Sequence, residues 1–178
     1  MRTLLIATAL ISAPAFVFAA GSGDSSPPKP TATTTQCSNG QVFDDEAAAC
    51  VDPKESRLDD DTLYRAVREF AYAGMYAETL ATLDLMSDQQ EDRVLTYRGF
   101  AHRKAGDIDT GMAFYQAALT ANPDNFLARS YMGQAYVELG NTEAARMQLS
   151  EIRTRGGRGT WAEFSLRTAI ESGQGYSY

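Results

Sequence analysis

Apolar residues recur with the spacing of an amphipathic helix from residue 59 onward. Leu63, Ala66, Val67 and Phe70 fall at positions i, i+3, i+4 and i+7, which places them on one face of a helix. Three consecutive acidic residues, 59–61, precede this run. Carboxylates at a helix start cap free amide groups and suit the positive end of the helix dipole. The pattern predicts that the chain after residue 59 is helical.

The helical part of the sequence repeats itself at a fixed distance. Gly99-Phe100-Ala101 and Gly133-Gln134-Ala135 lie thirty-four residues apart, and Gly106-Asp107 is followed at the same offset by Gly140-Asn141. Self-similarity at one period indicates an architecture of stacked, similar units.

The glycines of the repeat have physical roles that fit a pair of helices. Glycine inside a helix costs about 1 kcal/mol relative to alanine, so Gly99 and Gly133 predict close approach of the paired helix. Gly106 and Gly140 are expected to end their helices in the left-handed conformation. The polar residue after each of them then caps the next helix.

These residues resemble the tetratricopeptide repeat family, whose unit is two antiparallel helices. Matching residues of the unit 92–125 are Leu95, Gly99, His102, Gly106, Asp107, Gly111, Tyr115, Ala118 and Pro123. Those of the unit 126–159 are Met132, Gly133, Tyr136, Gly140, Asn141, Ala145, Leu149 and Ile152, without the closing proline. An earlier, degenerate unit covers about residues 60–91, and it is two residues shorter.

The resemblance implies an all-α fold, a short right-handed superhelix of three units over residues 58–173. Thr160-Trp161-Ala162-Glu163 is a capping box and opens a C-terminal capping helix, 160–172. Repeat stacks end in such a helix because the last unit would otherwise expose its core to water. Residues 174–178 are expected to form a loose tail.

The N-terminus has the layout of a secretory signal peptide, residues 1–19. A positive start precedes an almost wholly apolar run, 3–18, and small residues follow it. The alternative is a retained membrane anchor, although the run is short for a span of about 20 residues. We expect export to the bacterial periplasm or secretion, with no membrane span after cleavage.

Two small segments separate the signal peptide from the repeats. Residues 20–36 are rich in Pro, Ser and Thr and contain no large apolar residue, which predicts a disordered linker. In residues 37–57, Cys37 and Cys50 are expected to form a disulfide, because disulfides persist outside the cytosol. The disulfide would close this small hairpin unit, in which Asn39-Gly40 is a strong turn signal.

Charge and composition exclude several classes of function. The net charge is −7, and an acidic protein repels nucleic acid and anionic membranes. His102 is the only histidine and occupies an aromatic position of the repeat, so we expect it to pack rather than to bind. Asp107–Gly111 lacks the later donors of a calcium loop, and Arg155–Arg158 is interpreted as a connecting loop, with a small anion contact as the alternative. No catalytic residue, metal site or cofactor is predicted.

The resemblance also implies a partner-binding site in the concave groove, which the first helix of each unit lines. The corresponding positions are Tyr64, Arg68, Tyr72, Thr96, Phe100, Arg103, Lys104, Leu127, Ser130, Gln134, Val137 and Glu138. Arg68, Arg103 and Lys104 would form a basic strip suited to an extended peptide that carries carboxylates. The asparagines by which some family members clamp chaperone tails are missing from these positions, so that activity is not carried over.

The sequence therefore favours a non-enzymatic adaptor or scaffold that binds a protein or peptide in the bacterial envelope. Two alternatives stay open. One is a structural module that self-associates through the ends of the stack, since the sequence leaves the oligomeric state undetermined. The other is a cell-wall or polysaccharide binder that works through the Cys37–Cys50 hairpin.

Overall fold

The computed structural model describes residue 27, residues 29–55 and residues 57–176. The predicted signal peptide, the first part of the predicted linker and residues 177–178 lie outside this range. Within the described residues, no helix combines the length and the apolar character needed to cross a membrane.

The fold is mainly helical, with one small two-stranded sheet near the N-terminus. In chain order the elements are α1 (Ala32–Thr35), β1 (Val42–Asp44), β2 (Ala49–Val51), α2 (Asp60–Tyr72), α3 (Tyr76–Leu83), α4 (Asp92–Lys104), α5 (Ile108–Ala121), α6 (Phe126–Glu138), α7 (Thr142–Thr154) and α8 (Trp161–Ser172). Helices α2/α3, α4/α5 and α6/α7 pack as three successive helix-turn-helix pairs, and α8 packs on α6 and α7. The predicted all-α repeat fold with a C-terminal helix is confirmed.

The turns inside the second and third pairs form as the sequence predicts. Gly106 and Gly140 have φ angles of +100° and +76°, the left-handed region that glycine reaches most cheaply. Asp107 and Asn141 each accept a hydrogen bond from the backbone amide three residues further on, at 3.1 Å. The end of one helix and the start of the next are thus fixed by local sequence.

Gly99 and Gly133, which occupy the same position in successive repeats, have different neighbours. A Cβ placed on Gly99 would lie 2.6 Å from the ring of Tyr115 and 2.9 Å from the carbonyl oxygen of Gly111, so α4 and α5 cross closely there, as predicted. A Cβ on Gly133 would instead lie 2.6 Å from Leu166. The expectation that Gly133 faces its paired helix is therefore wrong, because α8 packs against this side of α6.

A continuous core of aromatic rings runs through the stack. Tyr97, Tyr115 and Tyr131 are fully buried, and the ring centroids of Tyr97 and Tyr131 are 6.1 Å apart. Tyr64 of the first pair meets Tyr97 edge-on at 5.6 Å. Burial of such large rings dominates core energetics, so one core joins the first two pairs to α6, whereas the buried residues of α7 pack in smaller clusters with α8.

The predicted cysteine hairpin is present, and it covers the outer end of the repeat stack. β1 and β2 are antiparallel, with Phe43 opposite Cys50, and the Cys37–Cys50 disulfide joins Cα atoms 5.5 Å apart. Val42 is 1% exposed and packs against Ala66 and Phe70 of α2. The hairpin thus removes from water an apolar edge that the first unit would otherwise expose.

The predicted linker is shorter in the structure than the sequence suggests, because residues 31–36 are ordered. Glu69 of α2 is buried, and its carboxylate accepts hydrogen bonds from the backbone amides of Thr31 and Thr34, at 2.6 and 3.0 Å. The hydroxyls of both threonines also donate to it. A buried carboxylate needs such donors, and the threonine-rich segment supplies them.

The predicted capping box at α8 forms with a changed partner. The side chain of Thr160 accepts from the amide of Glu163 at 3.3 Å. The Glu163 carboxylate accepts a hydrogen bond from the amide of Gly159, at 2.8 Å, instead of from the amide of Thr160. It also pairs with Arg153 at 2.7 Å. These bonds fix the start of α8 against the end of α7.

Candidate protein-binding groove

The predicted groove residues lie on the first helix of each pair, but most of them face the interior. Eight of the twelve predicted positions are buried, namely Tyr64, Thr96, Phe100, Arg103, Leu127, Ser130, Gln134 and Val137. Arg68, Tyr72 and Lys104 are half-buried, and Glu138 is exposed. The side chains within reach of a partner are therefore a small subset of the predicted set.

The centre of the groove is closed by a bridge from the first pair to the last helix. Trp161 of α8 donates its Nε1–H to the hydroxyl of Tyr72 at 3.1 Å. The same hydroxyl lies 2.6 Å from that of Tyr131, and the Tyr72 ring stacks on Phe100 at 5.7 Å. Burial raises the pKa of the Tyr72 phenol, so it stays a neutral hydrogen-bonding group.

Arg103 is held by its own chain. Its Nη1 is 2.8 Å from Glu138 Oε1, and its side chain is 0% exposed. Its Nε donates to the hydroxyl of Tyr115 at 3.3 Å, and burial raises the pKa of Tyr115 to about 12. The guanidinium carbon also lies 5.7 Å from the centroid of the Phe100 ring. These contacts give Arg103 a structural role in joining α4 to α6.

Arg68 and Lys104, the other two members of the predicted basic strip, are half-buried. Lys104 follows Arg103 at the end of α4, and its pKa is lowered by burial and then by the neighbouring charge of Arg103. Arg68 lies close enough to Tyr72 for its charge to favour the ionised phenol. The basic strip thus has a buried member, Arg103, and two half-buried members.

Three predicted polar groove residues are used inside the fold. Thr96 donates to the carbonyl of Asp92 at 2.7 Å and accepts from Asn125 at 3.0 Å, which fixes the loop between α5 and α6. The hydroxyls of Ser130 and Ser165 are 3.0 Å apart.

Gln134 of α6 contributes to the same buried polar network. Its Nε2 donates to Ser130 Oγ at 3.3 Å. Its Oε1 accepts from the backbone amide of Tyr176 at 3.2 Å. Gln134 therefore connects the core of the groove to the segment that follows α8.

Residues 174–176, predicted to form a loose tail, contact the groove. Gly175 packs so closely on Glu138 that a Cβ would lie 2.0 Å from Oε1. The ring of Tyr176 meets Trp161 edge-on, with centroids 5.1 Å apart. Trp161 and this tail segment are the site elements that the sequence did not indicate. The capping box placed Trp161 on a helix start without showing which side it faces.

The remaining candidate sites have structural explanations. The His102 ring stacks on Phe114 at 5.5 Å, the packing role that the repeat pattern predicts. Arg155 pairs with Asp124 at 2.8 Å and with Glu151 at 2.9 Å, as expected for a connecting loop. Across residues 29–55 and 57–176, no three histidine, cysteine or acidic side chains are grouped as a metal site would need.

The middle of the repeat region matches a known protein family. Residues 102–157 match the tetratricopeptide repeat family, a stretch that runs from the end of α4 through α7. No curated protein matches the chain. Tetratricopeptide repeats generally mediate protein–protein interactions and are typically non-catalytic modules, which supports an adaptor or scaffold role. The match over residues 102–157 and the three helix pairs are together consistent with a protein of the tetratricopeptide repeat family.

Proposed function

We propose that this protein is a non-enzymatic adaptor of the bacterial cell envelope that holds an extended acidic segment of a partner protein in its groove. The family supports a protein partner. The Cys37–Cys50 disulfide supports an oxidising location, in keeping with the signal peptide that the sequence predicts.

The proposal rests on the basic residues among the predicted groove positions. The chain as a whole has 23 acidic and 16 basic residues, yet Arg68 lies on α2, and Arg103 and Lys104 lie on α4, a helix that packs on α2. Burial, and then the charge of Arg103, lower the pKa of Lys104, whereas the charge of Glu138 raises it. A carboxylate from a partner would accept charge-assisted hydrogen bonds from Lys104.

The accessible side chains limit where a partner makes contact. Thr96 and Ser130 are fully or almost fully buried, so a partner that leaves the fold intact cannot reach them. We assign the direct contacts to Arg68, Tyr72, Lys104 and Glu138. The buried predicted residues then act by holding these four in place.

The test is a charge reversal at the two accessible cations in the mature chain. Arg68→Glu with Lys104→Glu is expected to weaken capture of the native partner from an envelope extract by at least about tenfold, since two charge-assisted contacts are lost. Arg103 is left unchanged, because its reversal would break the buried pair with Glu138. The matched control reverses two exposed cations outside the groove, Lys54→Glu with Arg146→Glu.

Capture is measured by pull-down and mass spectrometry at two salt concentrations, with circular dichroism to show that each variant is folded. A contact of this kind weakens as salt rises. Equal capture by the groove variant and the control variant would refute the groove assignment. Light scattering across concentration separates a monomeric adaptor from a self-associating module.

A further inference from the structure

The segment after α8 turns back over α6 and lies against the groove. Gly173 has a φ of +70° and ends α8 in the left-handed conformation. The next residue is held at the turn, where the amide of Gln174 donates to Ser172 Oγ at 3.3 Å. The chain then runs without helical structure past Glu138 and Gln134 to Tyr176.

The backbone of this segment is recognised by a pre-oriented acceptor. The amide of Tyr176 donates to Gln134 Oε1 at 3.2 Å. Gln134 is 0% exposed, and its other amide atom donates to Ser130, whose hydroxyl is 3.0 Å from Ser165. Because the hydrogen bond to Ser130 fixes the orientation of the Gln134 side-chain amide, its Oε1 is oriented to accept from a backbone N–H at this position.

A side chain at the position before Tyr176 would displace the carboxylate of Glu138. A Cβ on Gly175 would lie 2.0 Å from Glu138 Oε1 and 3.0 Å from its carboxyl carbon. That oxygen is held at 2.8 Å by Nη1 of Arg103, whose side chain is fully buried. A larger residue could enter only if the Arg103–Glu138 pair separated, and breaking a pair with a buried charge is costly.

An aromatic shelf receives the next side chain. The Tyr176 ring meets Trp161 edge-on at 5.1 Å and Phe164 at 6.4 Å. Trp161 and Phe164 stack on each other at 5.6 Å, and Phe164 is 44% exposed. Edge-to-face contacts of this kind favour an aromatic side chain over an aliphatic one.

We infer that the α6–α8 surface formed by Gln134, Glu138, Trp161 and Phe164 is a binding site for a glycine-aromatic step in an extended peptide. Residues 173–176 are its built-in occupant and compete with the partner for it. The inference rests on the proposed function in taking a protein segment as the partner, and it adds the residue types that the segment carries at one end of the groove.

Competition follows because the occupant and the partner use the same atoms. A tethered segment on a short connection has an effective concentration of the order of millimolar. If the tail covers the site about nine-tenths of the time, the apparent affinity for a partner falls about tenfold. Release of the tail should therefore raise the apparent affinity for the partner about tenfold.

The experiment uses the full mature chain and a fluorescein-labelled peptide, Ser-Gly-Gln-Gly-Tyr-Ser. Tyr176→Ala removes the aromatic anchor, and Gly175→Ala removes the tail by steric conflict with Glu138. The matched control is Gln174→Ala, because Gln174 is exposed and adjoins the same segment. Fluorescence anisotropy should show about tenfold tighter peptide binding to the Tyr176 and Gly175 variants than to the parent chain and the control.

Two further readouts test the details. Trp161 is the only tryptophan, so tail release should shift its emission to longer wavelength, and the added peptide should reverse the shift. A peptide with alanine in place of the glycine before tyrosine should bind at least about tenfold more weakly. Equal peptide binding by parent and Tyr176→Ala, or equal binding of the glycine and alanine peptides, would overturn the inference.

Failure of this inference can be told apart from failure of the proposed function. The peptide assay contains no native partner and leaves Arg68 and Lys104 unchanged. Loss of peptide binding with intact, Arg68- and Lys104-dependent partner capture counts against the glycine-aromatic site alone. Peptide binding without any charge-dependent capture counts against the proposed groove contact alone.

Discussion

Gly99 and Gly133 occupy the same position in successive repeats, and the structure predicts that alanine has unequal effects at the two sites. The added methyl on residue 99 would meet the Tyr115 ring at 2.6 Å and the Gly111 carbonyl oxygen at 2.9 Å. At residue 133 it would meet the side chain of Leu166, with methyl carbons at 2.6 and 2.7 Å. The first obstacle includes backbone, and the second is the end of a leucine side chain.

The net effect is a balance of two terms. Alanine gains about 1 kcal/mol over glycine inside a helix, whereas overpacking a core costs about 1–3 kcal/mol. Rigid neighbours put Gly99→Ala near the upper end of that cost, for a net loss of about 1–2 kcal/mol. Gly133→Ala should be near neutral, because Leu166 can shift by a small change of rotamer.

Equilibrium urea unfolding, followed by circular dichroism, measures both variants beside the parent. In a domain of this size a loss of about 1–2 kcal/mol lowers the melting temperature by several degrees. The reasoning is refuted if Gly99→Ala matches or exceeds the parent in stability, or if the two variants are equally destabilised. The first result would mean that α4 and α5 move apart easily, and the second that Leu166 cannot give way to the methyl at residue 133.

Three further predictions concern the segments that close the fold. Replacing Glu163 by alanine removes its bonds to Gly159 and Arg153 and should cost about 1–2 kcal/mol in chemical denaturation. The Gly159 amide, and then Arg153, lower the pKa of Glu163 in the folded chain. Its contribution to the free energy of unfolding is therefore present above its unfolded pKa of about 4.3 and is lost as the pH falls through the folded pKa. A difference in stability between parent and variant that persists at pH 2 would contradict this. Replacing both cysteines by serine should lower the free energy of unfolding by about 3 kcal/mol, and an unchanged midpoint would show that the hairpin does not unfold with the repeats. Tyr72→Phe leaves Tyr131 and Trp161 without a shared hydroxyl and should cost about 1–3 kcal/mol, whereas Tyr136→Phe, at a half-buried position, serves as the control and should change stability by less.

The repeat fold could be predicted because its signals are local. A glycine at a helix end, a polar residue after it and an apolar stripe act within one unit, so Gly106, Asp107 and their counterparts thirty-four residues later formed the expected turns. The disulfide was likewise predictable, since two cysteines had one possible pairing.

The burial of the predicted groove residues could not be predicted from the sequence, because it depends on contacts between distant parts of the chain. Trp161 and Tyr72 are 89 residues apart, and nothing in the capping box fixes the rotation of α8 about its axis. The same rotation directs Leu166 at Gly133. A polar residue such as Gln134 is expected at a surface, and its burial is acceptable only because Ser130 and the Tyr176 amide satisfy it.

The Arg103–Glu138 pair links the two proposed contact regions. On one side Arg103 adjoins Lys104 and lowers its pKa; on the other, Glu138 limits the space at Gly175. A change in the position of Glu138 would alter both the charge beside Lys104 and the space at Gly175. Substitution of either member of the pair would therefore alter both regions at once. Arg68, Lys104 and Tyr176 lie outside the pair, so substitutions there separate charge recognition from the glycine-aromatic site.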